Sequence, residues 1–196
     1  MKAVPLGILG SGRGTNCRAI LESIARGALA ADVRVVISDV FDAPILDIAR
    51  EFAIPNAYLP AGRFQTRLEP QTEVDLVRML RDAGVELVIL AGFMRVLKSP
   101  MLGAFPRRIL NIHPSLLPKF PGLEAWKQAL AAGEKVTGCT AHYVDEKIDH
   151  GDVIAQREVP VLPNDTAESL HARIQIAEHE LYPAAIGEIC RKLSTA

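Results

Sequence analysis

Hydrophobic positions along the first 112 residues follow two alternating periods. Short, nearly continuous apolar runs, which are typical of buried strands, occupy residues 4–9, 33–37, 87–90 and 108–112, with a shorter run over 57–59. Between them, residues 15–28, 44–52 and 73–83 carry apolar side chains at helical spacing. Strands and helices that alternate in this way predict a parallel sheet with helices on both faces.

The last third of the chain has a different pattern. Residues 136–144 and 152–159 are strand-like, and the charged segment 145–151 between them is too short for a crossover helix, which predicts an antiparallel hairpin. A long helix is predicted from about Thr166, with Asp165 as N-cap and Glu168 completing a capping box. Pro183 is expected to kink or restart this helix. The predicted fold class is α/β: a Rossmann-like, mostly parallel sheet flanked by helices, with an antiparallel hairpin and a long helix at the C-terminal end.

Length and charge narrow the class of protein. The 196 residues contain no repeat, low-complexity tract or linker, which favours a single domain over residues 1–196. Apolar residues make up 49% of the chain, enough for a sizeable core. Lys plus Arg number 22 and Asp plus Glu number 23, so the formal net charge is −1, which argues against a nucleic-acid partner bound through a basic face.

Compartment and metal content are also constrained. The longest apolar runs are far shorter than the roughly 20 residues that span a bilayer, and the N-terminus lacks a signal peptide. Cys17, Cys139 and Cys190 fit neither a disulfide framework nor a metal knuckle, and the histidines lack metal-ligand spacing. We therefore expect a cytoplasmic protein with no metal and no membrane partner, whose composition leaves monomer and homodimer open.

Residues 10–16, with the sequence GSGRGTN, lie between the first predicted strand and the first predicted helix. Glycines permit close backbone approach and positive φ, and free N–H groups at a helix N-terminus bind anions, so a phosphate is the expected ligand. A flexible strand-to-helix turn is the alternative without a ligand. A dinucleotide fingerprint, with Asp39 on the ribose, is disfavoured because Thr15 stands where its last glycine belongs.

Asn111 and His113 stand at the end of a predicted buried strand, just before a proline turn. Residues alternate across a strand, so both side chains project on the same side, at the edge where open parallel sheets bind ligands. An amide donor and an imidazole at this spacing are equipped to stabilise a tetrahedral intermediate in acyl transfer. The alternative is a histidine that only caps a strand beside the turn.

The charged connection 145–151 is the candidate source of a carboxylate that favours the cationic form of His113. The residues leave Asp145, Glu146 and Asp149 open for this role, and a solvated hairpin turn is the alternative. His150 is either such a partner or exposed.

Residues 91–97 follow another predicted strand. Gly92 permits a bend there. Met94, Val96 and Leu97 either line an apolar slot for a flat heterocycle or belong to the ordinary core.

Four motifs, in order along the chain, resemble the glycinamide ribonucleotide formyltransferase family: GRGTN at 12–16, LAGFMR at 90–95, NIHPSLLP at 111–118 and DHG at 149–151. The third motif with a later aspartate is specific for the wider 10-formyltetrahydrofolate hydrolase and transferase superfamily, and the first points to the glycinamide ribonucleotide branch. The resemblance implies transfer of a formyl group from 10-formyltetrahydrofolate to the amino group of N1-(5-phospho-D-ribosyl)glycinamide, in de novo purine biosynthesis. It implies neither a metal nor a nicotinamide.

The resemblance also implies roles for individual residues. Asn111, His113 and Asp149 would be catalytic, with His113 kept protonated by Asp149 and stabilising the oxyanion together with Asn111. The glycinamide ribonucleotide site would be Gly14, Thr15, Asn16, Gln175 and Glu178. The folate site would be Arg67, Met94, Arg95, Val96, Leu97, Asn111, Asp145, Glu146, Lys147 and Ile148. Residues 1–112 would then form the phosphate-binding half, and residues 113–196 the folate-binding and catalytic half.

The chain departs from the family pattern at a few positions. Glu124 and Trp126 stand where some relatives carry histidines, and Thr140 stands where some carry serine. These differences bear on the surroundings of the phosphate and the folate. Asp39 replaces a more frequent asparagine, and the sequence offers no functional account of it.

Four other functions share some of these sequence features. A formyltetrahydrofolate deformylase would use the same catalytic residues on water, but it normally carries an N-terminal regulatory domain, for which three residues before the first strand leave no room. Methionyl-tRNA formyltransferase would need a C-terminal RNA-binding domain. A non-catalytic nucleotide-binding module would keep the glycine loop but would have no use for His113. An NAD-dependent oxidoreductase would need the last glycine of the dinucleotide fingerprint, where this chain has Thr15.

Overall fold

One sheet of seven strands organises the computed structural model, which describes residues 3–195. Its strands are β1 Val4–Leu9, β2 Ala31–Ser38, β3 Asn56–Tyr58, β4 Leu87–Leu90, β5 Ile109–His113, β6 Val136–Tyr143 and β7 Val153–Pro160. The helices are α1 Thr15–Ala25, α2 Pro44–Glu51, α3 Pro70–Asp82, α4 Ser99–Ala104, α5 Ala125–Ala131 and α6 Ala167–Ser194.

The strand order is β3-β2-β1-β4-β5-β6-β7. Strands β1 to β5 pair with one another in parallel, whereas the pairs β5–β6 and β6–β7 are antiparallel. The order reverses between β1 and β4, and in open α/β sheets the carboxyl ends of strands at such a reversal frame a ligand crevice. The segments that follow β1, β4 and β5 therefore leave the sheet at the same edge. The mostly parallel sheet with an antiparallel hairpin at its end confirms the predicted fold class.

Both faces of the sheet are covered. One apolar cluster packs under α1, α2 and α6, and the other under α3 and α4. Tyr182 of α6 is fully buried, and its hydroxyl lies 3.0 Å from the carbonyl oxygen of Leu90 and 2.9 Å from that of Leu110. This side chain fixes α6 across the ends of β4 and β5.

The N-terminus of α6 differs from the prediction. Thr166, rather than Asp165, is the N-cap, and Ser169, rather than Glu168, completes the capping box. The Asp165 carboxylate instead accepts two 2.7 Å hydrogen bonds from Arg173 and one of 2.7 Å from the Leu162 N–H. Because the Asp165 carboxylate binds the charged Arg173, it does not cap the helix, and the N-cap lies one residue later, at Thr166.

Of the two effects predicted for Pro183, a restart of the helix is wrong, because α6 is continuous from Ala167 to Ser194. Pro183 is buried within the helix, where packing against the sheet outweighs the one hydrogen bond that a proline cannot donate. The short helices α4 and α5 were not predicted, since six and seven residues give too few turns for a visible period. Among residues 3–195, no helix is both long and apolar enough to cross a membrane.

Candidate active site

Asn111 and His113 lie at the end of β5, on the same side of the strand. His113 is buried, with 4% of the residue exposed. The antiparallel strand β6 places His142 opposite Asn111 and Thr140 opposite His113. The end of β5 thus presents an amide and an imidazole beside a second imidazole.

Both ring nitrogens of His113 face hydrogen-bond acceptors. Nε2 lies 2.8 Å from the carbonyl oxygen of Phe120, and Nδ1 lies 3.3 Å from Oδ2 of Asp149. A neutral imidazole has one N–H and would leave one of these acceptors facing a lone pair. The geometry therefore suits the imidazolium, whose Nε2–H can donate to the Phe120 carbonyl oxygen and whose positive charge lies beside the Asp149 carboxylate.

Asp149 reaches His113 from the connection between β6 and β7. Its backbone has a φ of 52°, in the left-handed region that aspartate tolerates better than most residues. Its Oδ2 atom also accepts a 2.8 Å hydrogen bond from the backbone N–H of Gly122, and its side chain is 10% exposed. The carboxylate is therefore held by a backbone donor as well as by the imidazole.

His142 is a functional candidate that the sequence analysis missed. Its Nδ1 lies 2.8 Å from the carbonyl oxygen of Tyr143, and its Nε2 lies 3.2 Å from Nδ2 of Asn111 and 3.7 Å from Oδ1 of Asp149. Burial, the largest effect, lowers the pKa of His142 despite the nearby carboxylate. A neutral ring with hydrogen on Nδ1 leaves Nε2 to accept from the Asn111 amide, which fixes the orientation of that amide. The position of His142 depends on the register between β5 and β6, which pairs it with Asn111.

The loop after β5 is tied back to the sheet by Thr140. Its hydroxyl donates to the carbonyl oxygen of Ser115 at 2.6 Å and accepts from the Leu117 N–H at 3.1 Å. Gln156 donates to the same oxygen atom at 2.8 Å. Thr140 therefore stabilises the loop whose Phe120 carbonyl faces His113.

A cavity of about 360 Å³ opens beside these residues. Its lining includes Asn111, His113, His142 and Asp149. Of the predicted folate-binding residues, its lining includes Met94, Arg95, Val96, Leu97, Asn111, Asp145, Lys147 and Ile148. Met94 is 56% exposed, Ile148 59% and Leu123 76%, so the rim carries apolar surface that a bound ring system would cover.

Two residues of the predicted folate set lie outside that lining. Arg67 stacks on the ring of Phe64, with 4.1 Å between its guanidinium carbon and the ring centre, and pairs with Val96 in an isolated bridge, while its neighbour Thr66 lines the cavity. Glu146 also lies outside the lining.

The glycine loop leads into α1, whose first turn contains no acidic side chain. Gly14 is the N-cap, with a φ of 72° and no side-chain cap, so the first N–H groups of the helix are left for a ligand. A Cβ atom at Gly14 would lie 2.8 Å from Cα of Ile45, so the close approach of α2 also requires glycine there.

The last helix meets this loop. Asn16 donates a 2.8 Å hydrogen bond to Glu178, and Arg13 donates one of 3.4 Å to Gln175. Burial raises the pKa of Glu178 to about 7, against the opposing effect of the Asn16 amide. Within the described part of the chain, Oδ1 of Asn16 is buried without a hydrogen-bond partner, which leaves it free to accept from a ligand.

Thr15 lines a different cavity from the one beside His113. This second cavity, of about 590 Å³, lies over α1 and is bordered by α2 and α6. The structure therefore brings Gly14, Thr15 and Asn16 together with α6, but it does not join Thr15 to the 360 Å³ cavity as one pocket.

Trp126 and Glu124 occupy the start of α5. Trp126 stacks on His171 of α6, with parallel rings and 3.7 Å between their centres, and both Trp126 and Glu124 line the 360 Å³ cavity. Burial, with a smaller contribution from Arg13, lowers the pKa of His171. Where some relatives carry an ionisable histidine, Trp126 thus gives the lining of this cavity an apolar surface.

Within residues 3–195, no group of three or more His, Cys, Asp or Glu side chains is arranged to hold a metal ion. The three cysteines are buried and free, and burial raises the pKa of Cys17 and Cys139 to about 12. The cluster of Asn111, His113, His142 and Asp149 at the end of β5 is therefore the candidate catalytic group among the described residues.

Comparison with known proteins gives consistent results. The sequence pattern of the family described as formyl transferase matches residues 5–186. The chain is 36% identical over 181 residues to the phosphoribosylglycinamide formyltransferase of Haemophilus influenzae, a match that covers 92% of this chain and 84% of that protein. The crystal structure of glycinamide ribonucleotide transformylase 1 from Symbiobacterium toebii superposes with a TM-score of 0.93 at 46% identity, covering 97% of this chain and 89% of that one.

A longer relative is also similar. The trifunctional purine biosynthetic protein adenosine-3 of Drosophila pseudoobscura pseudoobscura is 44% identical over 181 residues, which cover 91% of this chain. The match spans only 13% of the length of that relative.

Proposed function

The chain belongs to the formyl transferase family, and from this premise we propose that it is a phosphoribosylglycinamide formyltransferase that uses 10-formyltetrahydrofolate as donor. In this reaction the amine of the glycinamide ribonucleotide attacks the formyl carbon of the folate. A new C–N bond forms, the bond from that carbon to the folate nitrogen breaks, and a proton passes from the attacking amine to the leaving nitrogen. The reaction would serve purine biosynthesis, the process named for the trifunctional relative.

One observation carries the proposal: the buried contact of 3.3 Å between His113 and Asp149, beside the Asn111 amide. Oxygen develops negative charge as the amine attacks, and preorganised donors in a water-poor site stabilise that charge strongly. His113 supplies a cation, and Asn111 supplies the amide hydrogen that His142 does not engage. Asp149 stabilises the imidazolium while it acts.

The two ligands are assigned to separate surfaces. The apolar rim around Met94, Leu123 and Ile148 suits a flat heterocycle, so the folate is proposed to lie in the 360 Å³ cavity. The uncapped first turn of α1 suits the phosphate of the acceptor, with Asn16 and Glu178 close by. The amine must then reach across to the formyl group, which makes the relative position of the two surfaces important for catalysis.

A direct assay tests the proposal. Purified protein is mixed with 10-formyl-5,8-dideazafolate and glycinamide ribonucleotide, and the deformylated folate product is followed by absorbance. Transfer that requires the acceptor supports the proposal. Turnover without the acceptor would identify a deformylase, and no turnover would identify a non-catalytic nucleotide-binding module.

A pair of histidine variants links the activity to the site. His113→Ala should lower kcat by about two or more orders of magnitude, since it removes both charge stabilisation and a proton donor. His150→Ala is the matched control, because His150 lies next to Asp149 in sequence but its side chain is 64% exposed. Normal rates in His113→Ala would contradict the assigned chemistry.

A further inference from the structure

Asp39 is a buried carboxylate with both oxygen atoms engaged. It follows the last residue of β2, and its side chain is 2% exposed. Oδ1 accepts a 2.5 Å hydrogen bond from the hydroxyl of Ser11, and Oδ2 accepts one of 2.6 Å from Nε of Arg95. A buried carboxylate with a polar partner on one oxygen atom and a charged partner on the other is held in one position.

The partners of Asp39 belong to the two segments assigned to different ligands. Ser11 lies in the glycine loop after β1, and Arg95 lies in the segment after β4 that lines the folate cavity. These two segments also contact each other directly. The Ser11 hydroxyl accepts a 2.8 Å hydrogen bond from the Met94 N–H, and the Ser11 N–H donates at 3.0 Å to the carbonyl oxygen of Gly92.

Arg95 extends the network to a third segment. Its Nη1 donates to the carbonyl oxygen of Phe64 at 2.8 Å and to that of Gln65. The Arg95 side chain, only 18% exposed, thus donates through Nε to Asp39 and through Nη1 to backbone acceptors. Its role is to connect segments of the protein, whereas the neighbouring Met94 carries the apolar surface of the rim.

The Ser11 hydroxyl is likewise fully used. It donates its one hydrogen to Asp39 and accepts from Met94, so it has no hydrogen for a phosphate oxygen. The Ser11 side chain therefore positions the glycine loop, and the proposed phosphate site is left with the N–H groups that follow. An asparagine at residue 39 has one acceptor oxygen and one donor nitrogen, so it could accept from Arg95 but would have to donate to Ser11.

We propose that Asp39 is a positioning residue that fixes the glycine loop relative to residues 92–97, and thereby the acceptor amine relative to the formyl carbon. This inference deepens the proposed function and rests on it. Small displacements of reacting groups can lower rates by about a hundredfold, so a residue that touches neither substrate can still control turnover.

The test compares Asp39→Ala, Asp39→Asn and a control. Asp165→Ala is matched, because the Asp165–Arg173 pair is nearly as close, at 2.7 Å, and the Asp165 side chain is 3% exposed, yet Asp165 precedes α6 and lines neither cavity. Asp39→Ala should lower kcat by about tenfold to a hundredfold. Asp39→Asn should recover part of that loss because it keeps an acceptor for Arg95, and Asp165→Ala should keep the wild-type kcat.

Hydrogen exchange gives a readout that needs no substrate. In Asp39→Ala, amide exchange should accelerate in residues 10–16 and in residues 91–97 together, while Asp165→Ala should change neither segment. If Asp39→Ala fails to fold, Asp39→Asn carries the test, with faster exchange in both segments and a kcat below that of the wild type.

The outcomes separate the two claims. A kcat in the Asp39 variants no lower than in Asp165→Ala would overturn the positioning role, as would exchange that changes in only one of the two segments. An inactive wild type would overturn the proposed function, and the exchange experiment would still decide whether Asp39 couples the two loops.

Discussion

Replacing Asp149 by asparagine removes the charge of the buried cluster while keeping its shape. The asparagine oxygen can occupy the position of Oδ2, where it would still accept from the Gly122 N–H and would lie beside Nδ1 of His113. The amide nitrogen would then face His142. The variant therefore isolates the electrostatic effect of the carboxylate from its hydrogen bonds.

The size of the effect follows from the geometry. Two unit charges 3.3 Å apart attract by about 5 kcal/mol at an effective dielectric constant near 20. The amide dipole retains part of this attraction, so we expect roughly 3 kcal/mol of lost transition-state stabilisation. Since each 1.36 kcal/mol is a factor of ten in rate, kcat should fall by about two orders of magnitude.

Steady-state kinetics with the dideazafolate donor and glycinamide ribonucleotide measures the loss. Asp152→Asn is the control, because Asp152 lies in the same connection but is 69% exposed and pairs with the equally exposed Arg107. Surface pairs of this kind contribute little, so its kcat should equal that of the wild type. A kcat for Asp149→Asn within threefold of the wild type would refute the claim that a charged Asp149 stabilises the imidazolium of His113.

Three further predictions concern residues around the site. His142→Ala should lower kcat by about tenfold in steady-state assays with little change in KM, because Asn111 loses the acceptor that orients it, and His142→Gln should restore part of the rate. Burial raises the pKa of Glu178 from 4.5 to about 7, so the folded chain keeps a proton that the unfolded chain releases, and the free energy of unfolding should fall as pH rises through that interval. Glu178→Gln should flatten this part of a pH series of urea denaturations, and an unchanged slope would contradict the assignment. Tyr182→Phe should reduce the free energy of unfolding by about 1 to 2 kcal/mol, since it removes the one hydroxyl hydrogen that lies between the carbonyl oxygens of Leu90 and Leu110, and equal urea midpoints for variant and wild type would contradict this.

The sequence predicted those parts of the fold that depend on local pattern. Strands β1, β4 and β5 are apolar runs bounded by polar or glycine residues, so their positions agree with the structure within a residue or two. The cap of α6 was misplaced because the choice between Asp165 and Thr166 depends on Arg173, which lies one or two turns away on the helix. The local sequence pattern could not show which of these two residues caps the helix.

The candidate site was predictable only in part, for a similar reason. The spacing of Asn111 and His113 along one strand is a local property, whereas the choice among the three carboxylates of 145–151 depends on how that connection folds. The position of His142 opposite Asn111 depends on the register between β5 and β6, which no periodicity within either strand specifies. Asp39 was unexplained because its partners come from two other segments of the chain.

The proposed mechanism assigns different protonation states to the two imidazoles of the site, and their surroundings differ in a way that suits this assignment. His113 has an acceptor at each ring nitrogen, so the cation satisfies its surroundings. His142 has one acceptor and one donor, and burial lowers its pKa, so the neutral ring satisfies its own surroundings. A second cation at His142 would compete for Asp149 and would turn a donor toward the Asn111 nitrogen, forcing that amide to rotate. Under the proposed mechanism, one carboxylate would therefore serve one imidazolium, and the neutral His142 would keep the Asn111 amide directed at the reacting oxygen.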